Sequence, residues 1–228
     1  MLFDNLNVES VTQNLGSGFA KFNKKVAVNG LARKTFVQEL MYGFYVIFHP
    51  FDGFYDLKHE RRGSVRAGTT ILAATIAVFY YDSIGAGYVT NPQATYGTIF
   101  GAITGVAVPL ALWIIANWCL TTLFDGEGSM KDIFITCCYA ILPVPLMMIP
   151  ATLCTNFLCA DEANIIDLLI GIGYVWAAFL LFFGLMVTHD YNMPQNIVAI
   201  LGTVVGMAII MFVGILFSGL FTKVFSFV

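Results

Sequence analysis

Residues 197–224 read IVAILGTVVGMAIIMFVGILFSGLFTKV, in which Lys223 is the sole charged side chain. A helix needs roughly 20 apolar residues to cross a ~30 Å hydrocarbon core, so this run is long enough to span a bilayer. Working back toward the N-terminus, Ile165–Val187, Ile133–Leu158 and Ile99–Leu123 also qualify. Ala67–Tyr81 is shorter and reaches spanning length only by taking in flanking residues as far as Gly87 or Tyr88. Period-two alternation is absent, and an open sheet edge cannot be satisfied in lipid, so strands are not expected. Composition agrees: 58% of the chain is hydrophobic and 11% charged, against ~25% charged in soluble domains. The expected fold class is an all-α polytopic membrane protein with five transmembrane helices.

Charge sets the expected orientation. Nine of the eleven Lys and Arg residues precede Ala67, the loop Asp82–Gly97 has none, the next loop has Lys131, and Asn156–Asn164 has none. Basic residues stay cytoplasmic, which places the N-terminus inside and, after five spans, the C-terminus outside. Lys223 alone argues otherwise, and a Lys near a helix end can snorkel to either surface. Residues 1–30 lack a continuous apolar core, so no cleavable signal peptide is expected. The expected location is a plasma membrane.

Three regions follow: a cytoplasmic segment 1–35, an amphipathic stretch 36–66 and the transmembrane domain 67–228. Val11, Leu15, Phe19 and Phe22 recur at helical spacing in the first, but Gly16 and Gly18 weaken a helix there. In the second, Phe44, Phe48, Phe51 and Tyr55 step i, i+4, i+7, i+11 and stack four rings on one helical face. A polar stripe adjoins them, and Lys58, Arg61, Arg62 and Arg66 follow. That pattern describes a helix lying in the inner membrane interface, its basic cluster favouring anionic lipid. Pro50 either kinks this helix or starts a second, giving an elbow.

Within the spans, Pro143, Pro145 and Pro150 each lack an N–H, so the third helix should bend or break near its middle. Gly97, Gly101 and Gly105 open the second span at four-residue spacing, and Gly202 and Gly206 repeat the device in the fifth. Such faces let backbones approach closely, first within the monomer and second in a homo-oligomer.

Reactive constellations are few. His49, Asp52, Asp56 and His59 share a helical face, but Pro50 and Gly53 interrupt it, and a solvated polar face accounts for the pattern. Cys154 and Cys159 could bridge or stay free, while Cys119, Cys137 and Cys138 fall within apolar runs. There is no HExxH, GxSxG or phosphate-cradling GxxxxGK[ST], and the acids after Ala67 sit near span ends. No cofactor, metal, nucleic acid or catalytic activity is expected.

The most distinctive stretch is NWCLTTLFDGEGSMKDIFITCCYAILPVP, residues 117–145. Trp118 suits a membrane boundary, and Asp125-Gly126-Glu127-Gly128-Ser129 makes a tight turn before Lys131 and Asp132. Asn117-Trp118, Phe124-Asp125-Gly126-x-Gly128-x-x-Lys131-Asp132 and Tyr139-Ala140-x-x-Pro143 together resemble the YIP (Ypt-interacting protein) family in its bacterial branch. His49-Pro50-Phe51-Asp52 matches that family's proline-containing segment before the first span, and the resemblance covers approximately Glu39–Val228. It lacks the DLxGP-like string of eukaryotic relatives, which leaves GTPase-partner binding without support.

The resemblance implies non-enzymatic scaffold or accessory work, through contacts with lipid and other membrane proteins, an ATP-binding-cassette carbohydrate importer among them. The docking loop would comprise Asn117, Trp118, Asp125, Gly126, Gly128, Lys131 and Asp132. A small-solute transporter or channel, lined by the proline-broken third helix, is the alternative.

Overall fold

The structure, a computed structural model, describes residues 36–60, 62–87, 97–121, 126–158 and 162–225. Segment 1–35, Arg61, Asp125 and Cys159 therefore lie outside the described residues. The chain divides into an N-terminal unit ending at Met41 and a second unit, Tyr42–Val228. Of the first, only Phe36–Met41 are described, as the opening turns of helix α1 (Phe36–Phe48). All contacts below belong to the second unit.

The amphipathic stretch forms two helices. His49 interrupts α1, and α2 (Pro50–His59) starts with proline at its first turn, where the missing N–H would have had no intrahelical partner. A Cβ on Gly53 would stand 3.0 Å from the Val46 Cα, so glycine is what lets the elbow fold tightly. Its inner face is Val46, Ile47, Phe54 and Leu57. The ring row Phe44, Phe48, Phe51 and Tyr55 faces outward, with Phe48 at 75% exposure. The pair thus buries Val46, Ile47, Phe54 and Leu57 and leaves the four-ring row exposed.

Five apolar spans follow. α3 (Val65–Gly85) starts at Ser64, whose hydroxyl accepts the Ala67 N–H at 3.2 Å. It is longer at both ends than the apolar run Ala67–Tyr81, which is how the shortest run reaches spanning length. α4 (Ile99–Thr121) is the second span. The third is split into α5 (Met130–Ala140) and α6 (Pro143–Cys154). α7 (Ala163–His189) and α8 (Met193–Phe225) complete the set.

The split has a backbone explanation. Pro143 and Pro145 remove the two N–H groups that a continuous helix would aim at the Tyr139 and Ile141 carbonyls. Leu142 instead donates to Tyr139 O at 3.4 Å and Val144 to Ile141 O at 3.0 Å, two tight three-residue turns. Pro150 sits inside α6 without ending it.

The split third span is the hub: its halves pack on α3, α4 and α7, and half of its most apolar window is buried. α8 is the opposite case, with 6% buried, and rests mainly on α4. There Gly202 and Gly206 lie against Leu120 and Ala116. Among the described residues a Cβ on Gly105 would meet nothing within 4 Å and one on Gly101 only Thr98, so neither is seen against a neighbouring helix; Gly97 meets Ser83.

Candidate functional site

Two ends of the spans are tied by different chemistry. At one end α3 is locked to α6. The Thr152 hydroxyl donates to Asp82 Oδ1 at 2.6 Å, Asn156 Nδ2 to the Gly85 carbonyl at 3.1 Å, and the Gly87 N–H to Thr155 Oγ1 at 2.8 Å. The other end carries the elbow, the α4–α5 loop and the α7–α8 turn, and holds the loop expected to dock partners.

That end is organised around His189, the last residue of α7, which is 2% exposed. Its Nε2 lies 2.9 Å from Asn117 Oδ1, while Asn117 Nδ2 donates to Thr203 Oγ1 at 3.0 Å and Thr203 donates to the Ala199 carbonyl at 2.8 Å. The donors run in one direction along this chain, so His189 Nε2 bears the proton and Nδ1 is the acceptor. Nδ1 has no hydrogen-bond partner among the described residues. Beside it Thr136 and Thr188 share a 2.7 Å hydroxyl contact; Thr188 spends its own proton on the Gly184 carbonyl, so Thr136 donates. A buried polar seam therefore links α4, α5, α7 and α8 where their sequences are otherwise apolar.

The loop closes over this seam. A Cβ on Gly128 would come 2.6 Å from both Nδ1 and Cε1 of His189, and one on Gly126 would strike the Tyr191 hydroxyl. Only glycine lets the loop backbone lie this close to the imidazole. Ser129 and Asp132 then start α5 with a reciprocal capping box. The α7–α8 turn is fixed by Asp190, the single described non-glycine residue at positive φ (57°). Its N–H and that of Tyr191 both return to Met186 O, an αL helix ending.

The elbow runs along α7 from this end to the middle of that helix. Phe54 fills a notch opposite Gly184, Phe51 packs on Phe183 with ring centres 4.3 Å apart, and Trp176 Nε1 donates to the Ile47 carbonyl at 3.2 Å. Lys58 extends from α2 to Glu127 at 3.6 Å and Asp190 at 3.8 Å. Tyr42 donates to Asp56 at 2.8 Å, and burial, then this bond, raises its pKa above the ordinary phenol value. Asp56 also meets Arg62 at 3.6 Å, and Arg62 lies 5.5 Å over the Tyr42 ring. His49 and His59 stack on Tyr45 and Tyr55. The polar stripe is therefore used in local contacts, and no group of three metal-ligating side chains occurs among the described residues.

The expected docking residues thus fall into two sets. Asn117 and Gly128 are buried, and both amide atoms of Asn117 are engaged inside, so Asn117 is an interior residue and no part of a docking surface. Gly126 is half-buried, its α-hydrogens turned to Tyr191 and His189. Trp118 and Lys131 are exposed and Asp132 is half-exposed. Sequence reading missed His189, Tyr191, Thr188 and Thr203. Their signal was present as isolated polar residues at the ends of, or within, apolar runs.

A Yip1 domain family model matches residues 44–216, from the elbow through most of α8. The chain belongs to the Yip1 domain family. This bears out the resemblance to the YIP family. The Yip1 domain match also takes in every residue of the polar seam. Comparison with curated proteins and with solved structures gave no match.

Beside the split, a cavity of about 250 Å³ opens between α4 and α7, with Ala140, Ile141 and Val144 as its floor and Trp113 and Tyr174 on its walls. Its lining is almost wholly apolar. Cys154 is an exposed free thiol.

Proposed function

We propose that this Yip1-domain protein is a non-enzymatic membrane scaffold or accessory subunit. Its contact surface is the exposed ring row of the elbow together with Trp118, Met130, Lys131 and the exposed part of the α4–α5 loop. The observation that carries this reading is the exposed row Phe44, Phe48, Phe51 and Tyr55 on an elbow whose α2 is tied to that loop through Lys58 and Glu127, while Val46, Ile47, Phe54 and Leu57 of the same helices are used internally. Exposed aromatics next to charges suit the headgroup region of a bilayer and the flank of a second membrane protein. The basic residues preceding α3 support a cytoplasmic location for this end, and the resemblance to the bacterial branch of the family suggests a bacterial plasma membrane as the setting. The partner class this reading favours is a carbohydrate importer of the ATP-binding-cassette type.

The test is gentle extraction of the tagged protein from its native membrane and mass spectrometry of what stays bound. A stoichiometric membrane-protein partner is expected. Its loss from the Trp118→Ala, Met130→Asp, Lys131→Glu triple variant, with thermal stability retained, supports the surface. Substituting Gly126 or Gly128 would test folding instead, because those residues pack on His189 and Tyr191. Recovery of the chain alone from every preparation overturns the accessory-subunit reading.

A second reading is favoured by the cavity at the α5–α6 break: transport of a small, mostly uncharged solute. Reconstituted vesicles without flux above protein-free controls would remove it.

A further inference from the structure

We propose that Lys58 is an electrostatic strap that makes the elbow a separately releasable element, governed by the charge on Glu127 and Asp190. The inference is independent of the identity of any partner.

One ammonium joins three segments. Lys58 belongs to α2, Glu127 to the α4–α5 loop and Asp190 to the α7–α8 turn, at 3.6 and 3.8 Å from its Nζ. The partners are unequally placed. The Lys58 side chain is 16% exposed, while those of Glu127 and Asp190 are 68% and 64% exposed. Nζ itself is shut off from solvent and makes no hydrogen bond among the described residues. Among the described residues its charge is therefore balanced by two carboxylates at ion-pair distance, with Asp132 the further acid lining the same hollow. The threonine pair Thr136–Thr188 and the half-exposed Asp132 line the small hollow at its side, and His189 and Tyr191 lie beneath the loop.

An exposed carboxylate that loses its partner is simply hydrated. A secluded ammonium that loses its carboxylates is left uncompensated, which is the expensive half of breaking such a pair. The route by which Nζ regains water is withdrawal of α2, which draws Phe54 out of the notch at Gly184 and Phe51 off Phe183. The strap is thus asymmetric: neutralising the carboxylates opens the elbow, whereas removing the charge on Lys58 does not. An apolar chain of similar length in its place leaves nothing that requires hydration.

That asymmetry is the test. Amide hydrogen exchange across residues 50–59 is compared in lipid nanodiscs for wild type, Glu127→Gln/Asp190→Asn, Lys58→Met and the triple variant. The double variant changes only exposed side chains and keeps their size, so the spans remain folded, which exchange in α4 and α7 checks. Expected results are exchange at least tenfold faster across 50–59 in the double variant, with α4 and α7 unchanged. Lys58→Met stays within twofold of wild type, and adding Lys58→Met to the double variant returns exchange to that range. The inference is overturned if the double variant exchanges at the wild-type rate, or if its acceleration persists without the lysine. The second result would mean that the carboxylates act through loop packing and not through the buried charge.

Discussion

Glu127 and Gly128 are neighbours in one turn with opposite duties. Gly128 is fitted against His189, so a side chain there must lift the loop or displace the imidazole. Overpacking of this kind costs about 1–3 kcal/mol, and Gly128→Val should lower the thermal midpoint in detergent accordingly. Asn117 is a second sensitive point because it is both acceptor for His189 and donor to Thr203. Asn117→Leu should cost about 1–2 kcal/mol, the range for hydrogen bonds between membrane helices. Pairing it with His189→Phe should cost less than the sum, since the second change removes the group left without a partner. A thermal-melt double-mutant cycle reads this directly. Tyr42 supplies a pH test. Its raised pKa means that the folded elbow prefers the protonated phenol, so its contribution is intact below the ordinary value of 10.0 and is lost only as pH climbs through the raised one. Exchange in the elbow should therefore accelerate in strong alkali, and Tyr42→Phe should abolish that added sensitivity.

At the scale of the element, α8 sets the sharpest contrast. Leu216, at 56% exposure, lies in its exposed C-terminal half, whereas Leu180 of α7 is wholly buried. Leu180→Ala should cost about 2–5 kcal/mol and Leu216→Ala less than about 0.5, both read from thermal melts. The elements themselves were largely legible from residues in order, because spanning length and proline chemistry are local properties. The missing N–H groups of Pro143 and Pro145 make the third span break wherever they sit, and that break is found at Ile141–Leu142. Pro50 left one helix or two open, since a proline serves a first turn as well as a kink; the Gly53–Val46 approach accompanies the two-helix outcome. The aromatic row announced itself by spacing, but its direction did not, because rings and aliphatic chains are equally apolar. The polar seam was not legible as a unit. Asn117, His189 and Thr203 come together only once α4, α7 and α8 are packed. Each alone is an unremarkable polar residue at the end of, or within, an apolar run.

For the whole molecule, five spans and two sets of end contacts imply a definite sidedness. Lys58, Ser129 and Asn192 lie at one end of the spans, and Asn156 at the other. Single cysteines introduced at these positions in a cysteine-free background should label accordingly with an impermeant reagent: Ser129 and Asn192 together, Asn156 from the opposite side. The Yip1-domain match runs across both faces, so it identifies the fold without singling out a working surface. What remains is the reach of the last helix. α8 has 33 residues, about 50 Å at 1.5 Å per residue, in a hydrocarbon layer of ~30 Å. Contacts with α4 through Gly202 and Gly206 anchor its first half, and residues 211–223 of its second half are exposed. The surplus must be absorbed by tilt or by local thickening of the lipid. α8 thereby becomes a gauge of bilayer thickness, its lean set by the membrane in which the protein resides.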